Sequence, residues 1–298
     1  MSQRGIEGLG KPSKRDRVDL GKDARRSGFE KLGDSQKEDR LRAKQLRKAA
    51  PKYPDQFNVE AMLALADKLE STGEGGKVPE SLASTTYMRG QRIYIAGALW
   101  KLIRGAKGKK ANAFTIIPRT WEFTPEELDE VDPTLLLAAL LTALYGRGAA
   151  KANGWIVAFI HGEFDPIGMV YRIHVHGFAY GEMVKVIDRL RTLPNYKTQY
   201  RLKDGSLSPV FRRIQVTRKR SKNLLSQITY RLQSYWPARA IVIKDDGSRI
   251  RARRKGRIPE PYHSQVLLWL DKWNLADLTL MVGLRVTKAG LTQTKRSS

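Results

Sequence analysis

The sequence predicts an α+β protein with an antiparallel-rich central sheet and flanking helices. Between residues 111 and 237, apolar residues alternate between strand-like and helical spacing in the order strand, helix, strand, strand, helix, strand, helix. Two strand-like segments, 154–163 and 170–178, flank the turn sequence Asp165-Pro166-Ile167-Gly168, which predicts a hairpin. We also expect helical additions outside this core and a disordered basic arm before it.

The N-terminal part divides into an arm and a helical region. Residues 1–53 are rich in charged residues, Gly and Ser, which indicates a mobile arm with nascent helix over 37–49. Residues 54–110 carry two helical patterns, at 58–70 and at about 79–103. The sequence leaves open whether the arm binds a partner or only aids solubility.

The core predicted over residues 111–237 begins with a strand at 113–117, where β-branched residues precede a proline. Thr124-Pro125-Glu126-Glu127 predicts a helix start, because a capping residue is followed by proline and two acids. We expect this helix to bend at Pro133 and to run to about Tyr145. After the hairpin, the pattern predicts a helix at 182–193, a strand at 210–217 and a helix at 221–235.

Residues 238–286 form the predicted C-terminal addition. A hairpin is expected over 239–253, and a helix at about 261–273 precedes a leucine-rich segment. The remaining residues, 287–298, are polar and basic, and we expect a loose tail.

Composition limits the classes of function. The 298-residue chain carries 55 Lys and Arg against 30 Asp and Glu, a net charge of 55 − 30 = +25, which favours a polyanionic partner such as nucleic acid. An anionic membrane surface is the alternative. A spanning helix and a secretory signal are not expected, so the sequence predicts a cytoplasmic protein. Because the chain has no cysteine, thiolate ligands and cysteine nucleophiles are excluded, and histidines and carboxylates must hold any metal ion.

Three of the four histidines lie within sixteen residues, on the predicted hairpin. His174 and His176 are two residues apart on one strand and therefore share a face; His161 and Glu163 do the same on the other strand. Imidazole and carboxylate ligands together suit a catalytic divalent ion. Gly177 is expected to leave the backbone open to a ligand. The alternative is that these residues are ordinary polar residues on a solvated sheet face.

Tyr230 lies on the predicted helix within a basic stretch. A tyrosine can attack a phosphodiester, because a phenolate is also a fair leaving group, but a metal ion or cation must assist it. Tyr235 follows five residues later, about 140° around a helix, so we do not expect it to share the face of Tyr230. Amphipathic packing is the alternative role of Tyr230.

Clustered basic residues are candidates for binding DNA phosphates. Four lie near Tyr230, and three alternate along the C-terminal hairpin: Arg218, Arg220, Lys222 and Arg231, then Arg249, Arg251 and Arg253. For the three hairpin residues, a solvated edge strand protected by charge is an equally open interpretation.

These elements resemble the HUH (His-hydrophobic-His) endonucleases, which comprise rolling-circle replication initiators, relaxases and related transposases. Three signatures appear in the initiator order over about residues 111–236. They are an apolar strand carrying Thr115, the sequence His174-Val175-His176-Gly177, and a helix bearing Tyr230. The resemblance implies an HUH-like core and binding of single-stranded DNA, with Thr115 among the contacts.

The resemblance further implies a chemistry. His174 and His176 would hold Mg²⁺ or Mn²⁺, with Glu163 or His161 as third ligand, and Tyr230 would attack the scissile phosphate. The products would be a 5′-phosphotyrosine and a free 3′-hydroxyl. The implied function is nicking and joining of single-stranded DNA at the replication origin of a plasmid or phage, with no membrane and no nucleotide cofactor involved.

Other functions remain open at this point. Initiators often carry lysine three or four residues after the tyrosine, whereas this chain has Gln233 and Ser234. A transposase shares the initiator order, whereas relaxases place the tyrosine before the histidines. A nucleic-acid-binding protein without catalysis and an RNA-binding protein that uses the basic arm and aromatic stacking are alternatives from other classes.

Overall fold

A computed structural model provides the structure of the chain. It describes residues 30–72, 78–105, 111–203, 212–218, 224–233, 235–243, 256–287 and 290–294, together with 205, 208, 210, 245 and 249–251. Within these residues the fold is α+β, with seven α-helices and an eight-stranded sheet. The predicted class is therefore confirmed.

Three helices form the N-terminal part: α1 (Leu32–Ala49), α2 (Val59–Glu70) and α3 (Thr85–Gly105). Helix α1 packs against the other two through small and aliphatic side chains, and Ala43 and Leu46 are fully buried. The buried face of α1 combines these apolar residues with Ser35, Asp39 and Arg42, so both apolar burial and buried polar contacts stabilise the helix.

Helix α1 differs from the prediction of a disordered arm that extends to residue 53. Residues 32–49 are helical and packed, and the predicted nascent helix over 37–49 is part of α1. The buried carboxylate of Asp39 accepts hydrogen bonds from the backbone N–H groups of Thr85 (2.6 Å) and Thr86 (3.1 Å) at the start of α3. This contact satisfies orphan donors of α3 and ties α1 to it. Residues 1–29 lie outside the described part of the chain.

A long hairpin forms the centre of the sheet. Strands β3 (Gly154–Asp165) and β4 (Val170–Gly181) pair antiparallel along their whole length, with His161 directly opposite His174. The predicted hairpin is confirmed and extends beyond the predicted strand ends. Every residue of β3 is buried, so both faces of the hairpin are covered.

Strands flank the hairpin on both edges. On the β4 edge, β1 (Asn112–Ile116) and β2 (Glu122–Phe123) pair antiparallel with β4, and β5 (Ile214–Thr217) extends the sheet beyond β1. These pairings bring Thr115 opposite His176.

On the β3 edge, β10 (Thr279–Val282) is antiparallel to β3, whereas β6 (Pro237–Ala238) runs parallel to it through the pair Phe164 and Ala238. Strand β9 (Gly256–Arg257) pairs antiparallel with β6. The sheet is therefore mixed, which corrects the expectation of an antiparallel-rich sheet. The parallel contact arises because the chain leaving the Tyr230 helix returns along the edge of the hairpin.

Four more helices pack around the sheet: α4 (Pro133–Gly146), α5 (Met183–Arg189), α6 (Leu224–Arg231) and α7 (Tyr262–Asp271). Short 3₁₀ segments cover Ala50–Lys52, Leu128–Glu130 and Leu190–Thr192.

Helix α4 begins later than predicted. The prediction began the helix at Thr124, but the α-helix begins at Pro133 after a turn and a 3₁₀ segment. The Asp132 carboxylate accepts a hydrogen bond from the N–H of Thr134 (2.7 Å) and caps the helix. Pro133 therefore occupies the first helical position, where its missing N–H costs nothing.

Two small hairpins complete the C-terminal part. The predicted hairpin over 239–253 is present as β7 (Ile241–Ile243) paired with β8 (Arg249–Arg251). Strands β11 (Leu284–Thr287) and β12 (Gly290–Gln293) also pair, so part of the predicted loose tail from residue 287 onward is structured. Among the described helices, none has the length and apolarity that crossing a membrane requires.

Candidate metal centre and neighbouring tyrosine

Three histidines of the central hairpin converge in the protein interior. His161 comes from β3, and His174 and His176 come from β4, with exposed fractions of 3%, 5% and 7%. One ring nitrogen of each lies within 4.8 Å of the others, so this buried group could bind a metal ion. The cross-strand register explains the convergence, because facing residues and residues two apart share one face of the sheet.

Hydrogen bonds orient the two histidines of β4. His174 Nδ1 lies 3.1 Å from the carbonyl oxygen of Arg172, and His176 Nδ1 lies 2.8 Å from Thr115 Oγ1. A carbonyl can only accept, so Nδ1 of His174 is the donor and its Nε2 carries the lone pair. The two Nε2 atoms lie 3.1 Å apart. Metal-binding histidines usually engage their second nitrogen in this way.

The third histidine is oriented from the segment after α6. His161 Nε2 lies 3.1 Å from the carbonyl oxygen of Tyr235, so this nitrogen donates and Nδ1 carries the lone pair. The next residue, Trp236, packs its ring on Gly162, where an added Cβ would lie 2.4 Å from the indole. The absence of a side chain at Gly162 therefore lets this segment approach the hairpin closely.

Glu163 lies near the histidines but outside the group that could hold a metal ion. Its side chain is buried, and Oε2 lies 3.9 Å from Arg239 Nη1. Among the described residues, the group comprises His161 with the two histidines of β4. Of the two candidate third ligands, His161 therefore belongs to the group with His174 and His176, and Glu163 does not.

Tyr230 on α6 lies beside the histidine group. Its ring centroid is 5.5 Å from that of His176, and its side chain is 43% exposed. The side chain therefore contacts the buried group on one side and solvent on the other.

No known protein family, curated protein or solved structure matches this chain. Support for the histidine group and the mixed sheet comes from the structure of this chain alone. Membership of the HUH superfamily is taken up below as a proposal.

Arg231, which follows the tyrosine, is buried rather than presented to solvent. Its Nε donates to the carbonyl oxygen of Gly177 (3.2 Å), and its guanidinium lies 4.9 Å from the centroid of the Phe178 ring. Burial lowers the pKa of Arg231 to about 10, and the negative charge of an ionised Tyr230 opposes this shift. The side chain joins α6 to the strand that carries His174 and His176.

Tyr235 and Tyr230 line the same space, although the sequence predicted that they would not share a face. Helix α6 ends at Arg231, so the expected 140° separation around a helix does not apply. Both tyrosines line one cavity of about 590 Å³. Burial raises the pKa of Tyr235, and the charge of Tyr230 adds to this effect.

Gly177 has a structural use that differs from the expected one. A Cβ at this position would lie 2.2 Å from the carbonyl oxygen of Val157 and 2.6 Å from Phe114 Cζ. The glycine therefore makes room for the neighbouring strand and the Phe114 ring, whereas the sequence suggested room for a ligand.

The other candidate DNA contacts have different environments. Thr115 bonds to His176, whereas Arg218 exposes 67% of its side chain and pairs with Asp188 at 2.6 Å. Arg220, Lys222 and Arg253 lie outside the described residues, as do the side chains of Arg249 and Arg251.

A buried charge network next to the site was not predicted from the sequence. Arg172 Nη2 binds Asp165 at 3.0 Å and its Nε lies 3.7 Å from Glu122, which also accepts from Arg213 at 3.0 Å. Arg172 lies opposite Glu163 in the hairpin register. The sequence did contain one signal for this network: Arg172 stands two residues before His174 on a mostly apolar strand. Because a buried cation requires a carboxylate partner, an ion pair could have been expected there.

Proposed function

We propose that this protein nicks and rejoins single-stranded DNA through a covalent bond between the DNA and Tyr230. The observation that carries the proposal is the 5.5 Å separation of the Tyr230 and His176 rings. Because the phenol is half-exposed, DNA can reach it from solvent, and a cation held by the neighbouring three-histidine group would activate it. The HUH resemblance, with its three signatures in initiator order, supports the same reading.

The donor set fits a divalent ion. His161, His174 and His176 would hold it, each with its second ring nitrogen engaged by an oxygen atom. Imidazole ligands suit first-row transition ions better than Mg²⁺, which prefers oxygen, so Mn²⁺ is the better candidate of the two. A bound ion would supply Lewis-acid polarisation of the scissile phosphate and would favour the phenolate.

The proposed covalent step uses the Tyr230 oxygen as nucleophile. The hydroxyl gives up its proton to solvent, and the phenolate oxygen forms a bond to phosphorus. The bond from phosphorus to the 3′-oxygen breaks, and that oxygen takes a proton from solvent. The new linkage between Tyr230 and the 5′ end is itself a phosphodiester. Attack on it by a 3′-hydroxyl therefore reverses the step and rejoins the strand.

The substrate follows from charge and exposure. A net charge of +25 favours binding to a polyanion. Just before the α6 region, Arg218 carries an exposed guanidinium whose ion pair with Asp188 is weak enough at the surface for a phosphate to replace. Initiation of rolling-circle replication at a plasmid or phage origin is the activity that we propose. A transposase or relaxase would use the same covalent step on another DNA.

Covalent trapping tests the proposal. Purified protein, single-stranded oligonucleotides and Mn²⁺ should yield a protein–DNA adduct that survives denaturing electrophoresis, and peptide mapping should locate the nucleotide on Tyr230. EDTA is the control and should abolish the adduct. A protein that binds DNA tightly but forms no adduct with any sequence or divalent ion would instead be a nucleic-acid-binding protein without catalysis.

A further inference from the structure

A cavity of about 590 Å³ adjoins Tyr230 and is lined in part by residues from α1. The three histidines of the candidate metal centre are not among the described residues that line the cavity, whereas Tyr230 lines it and also contacts His176. Its volume lies in the range of pockets that hold small ligands. A DNA strand with a phosphate at Tyr230 would bring a neighbouring nucleoside to this cavity.

The formal charges around the cavity balance, although the chain as a whole is strongly basic. Three carboxylates and three guanidinium groups line it: Glu30, Asp34, Glu38, Arg42, Arg92 and Arg257. Glu38 accepts from Arg42 at 3.0 Å and from Arg257 at 2.7 Å, and Glu30 pairs with Arg92. Each guanidinium group is paired with a carboxylate, although Arg42 and Arg257 share Glu38, and Asp34 brings the formal charge of the six residues to zero. The cavity therefore favours an uncharged hydrogen-bonding group over a phosphate.

Aromatic side chains supply flat surfaces at the same place. Tyr230 and Tyr235 line the cavity and are each 43% exposed, and the buried Trp236 also contributes to its wall. Nucleobases stack on such rings whatever their sequence, so the rings provide affinity without selectivity.

The carboxylates supply the selectivity. An ionised carboxylate only accepts hydrogen bonds, and its two oxygens have room for several donors, so a paired Glu38 can still accept more. Asp34 is exposed at the cavity, and Glu38 is half-buried there. Guanine, cytosine and adenine carry exocyclic amino groups, each with two N–H donors. Thymine has a single N3–H donor between two carbonyl oxygens, and these oxygens repel a carboxylate that approaches it.

We propose that this cavity binds the base of a nucleotide adjacent to the scissile phosphate and selects an amino-bearing base over thymine. The inference rests on the proposed nicking function, because Tyr230 fixes which part of the strand reaches the cavity. Residues of α1, which precede the HUH-like core in the chain, would then determine part of the sequence preference at the nick.

Gly256 provides a way to fill the cavity without straining the backbone. It lines the cavity, and a Cβ added there would meet no atom within 4 Å. Gly256→Phe therefore adds a ring at the wall. Gly146→Phe is the matched control, since Gly146 is equally open but lies at the end of α4, away from the cavity lining.

The test uses the full chain, Mn²⁺ and a pool of single-stranded DNA of random sequence. Sequencing of the attached and released strands gives the base frequencies on both sides of the junction. For the wild type and Gly146→Phe, thymine should be depleted about tenfold at one position next to the junction. Gly256→Phe should reduce that depletion to less than twofold, and an unchanged depletion would overturn the inference.

A second variant keeps the test decisive if Gly256→Phe does not fold. Asp34→Asn changes an exposed side chain and removes one carboxylate from the cavity, so it should weaken the thymine depletion severalfold. If Gly256→Phe loses its native circular dichroism, the result with Asp34→Asn decides, and full thymine depletion in that variant counts against the cavity.

Failure of the nicking function gives a different result. If no DNA pool yields an adduct, the proposed function is wrong, and saturation-transfer NMR with deoxyguanosine and thymidine then tests the cavity alone. Binding of deoxyguanosine that is lost in Gly256→Phe and kept in Gly146→Phe would support a base site. Equal binding of both nucleosides, or no binding of either, would overturn it.

Discussion

His161 and His174 face each other directly across the β3–β4 hairpin, with ring centroids 5.2 Å apart. His176 lies two residues further along β4 and completes the group. The register of β3 and β4 fixes both the cross-strand pair and its neighbour on the same face. The positions of the three rings therefore depend on the most extensively paired part of the sheet.

Metal binding should stabilise the fold through these rings. For the wild type, Mn²⁺ at a hundred times its Kd should add about 2.7 kcal/mol to the free energy of unfolding. The double variant His174→Ala/His176→Ala should lose this gain together with Mn²⁺-dependent nicking. Thermal melts with and without Mn²⁺ measure the effect, and nicking by the double variant at the normal rate would mean that the site is misassigned.

The third ligand can be identified by comparing two variants. His161→Ala should abolish the Mn²⁺-dependent rise in Tm, whereas Glu163→Gln should retain most of it, because Glu163 lies outside the three-histidine group. The opposite ranking would make the carboxylate the third ligand. The Tm of each variant without metal serves as the reference, since both side chains are buried.

The two tyrosines near the site should differ in chemistry. Tyr230→Phe removes only the phenolic oxygen, so it should keep DNA and metal binding but lose both nicking and the adduct. Tyr235→Phe should retain much of the activity, because it is the backbone carbonyl of Tyr235 that contacts His161. Peptide mapping decides between them, and a nucleotide on Tyr235 would refute the assignment.

Arg231 should act on the position of Tyr230 and not on DNA affinity. Arg231→Met removes the hydrogen bond to the Gly177 carbonyl and should cost about 1–3 kcal/mol of stability while slowing adduct formation. Its salt dependence of DNA binding should match the wild type, because the guanidinium is buried.

Arg218→Gln is the matched control for Arg231→Met, since it removes an exposed guanidinium. It should reduce the slope of log affinity against log salt by about 0.7, the value for one phosphate contact on a single strand. A similar slope change in Arg231→Met would assign Arg231 to the DNA interface.

The N-terminal residues should contribute to DNA affinity through charge. Residues 1–29 carry eight Lys and Arg against four Asp and Glu, so their deletion should flatten the salt dependence of single-stranded DNA binding. The truncation should stop at residue 29, because α1 begins at Leu32 and its inner face is buried. An unchanged slope would mean that these residues do not contact DNA.

The hairpin and its histidines could be predicted because their information is local. The turn sequence fixes where the chain reverses, and the two-residue period then determines that His174 and His176 share a face. The choice of His161 over Glu163 as neighbour of the pair could not be derived, because it depends on how side chains turn within one buried face.

Features that depend on contacts between distant parts of the chain could not be predicted from the sequence. The burial of α1 rests on a few apolar residues such as Leu46 among many charges, which resemble the composition of a disordered arm. The cavity beside Tyr230 combines α1 with Arg257, 219 residues after Glu38. No periodicity within a short window can indicate such a contact.

The three candidate metal ligands come from one hairpin of consecutive strands, whereas Tyr230 follows His176 by 54 residues. Contacts between residues close in sequence form early in folding, because little loop-closure entropy opposes them. The three histidines can therefore be brought together on the growing chain before Tyr230 has been synthesised, whereas the Tyr235 carbonyl that orients His161 follows later. Under the proposed function, the phenol of Tyr230 would then reach the site only after the hairpin that carries the candidate metal ligands has formed.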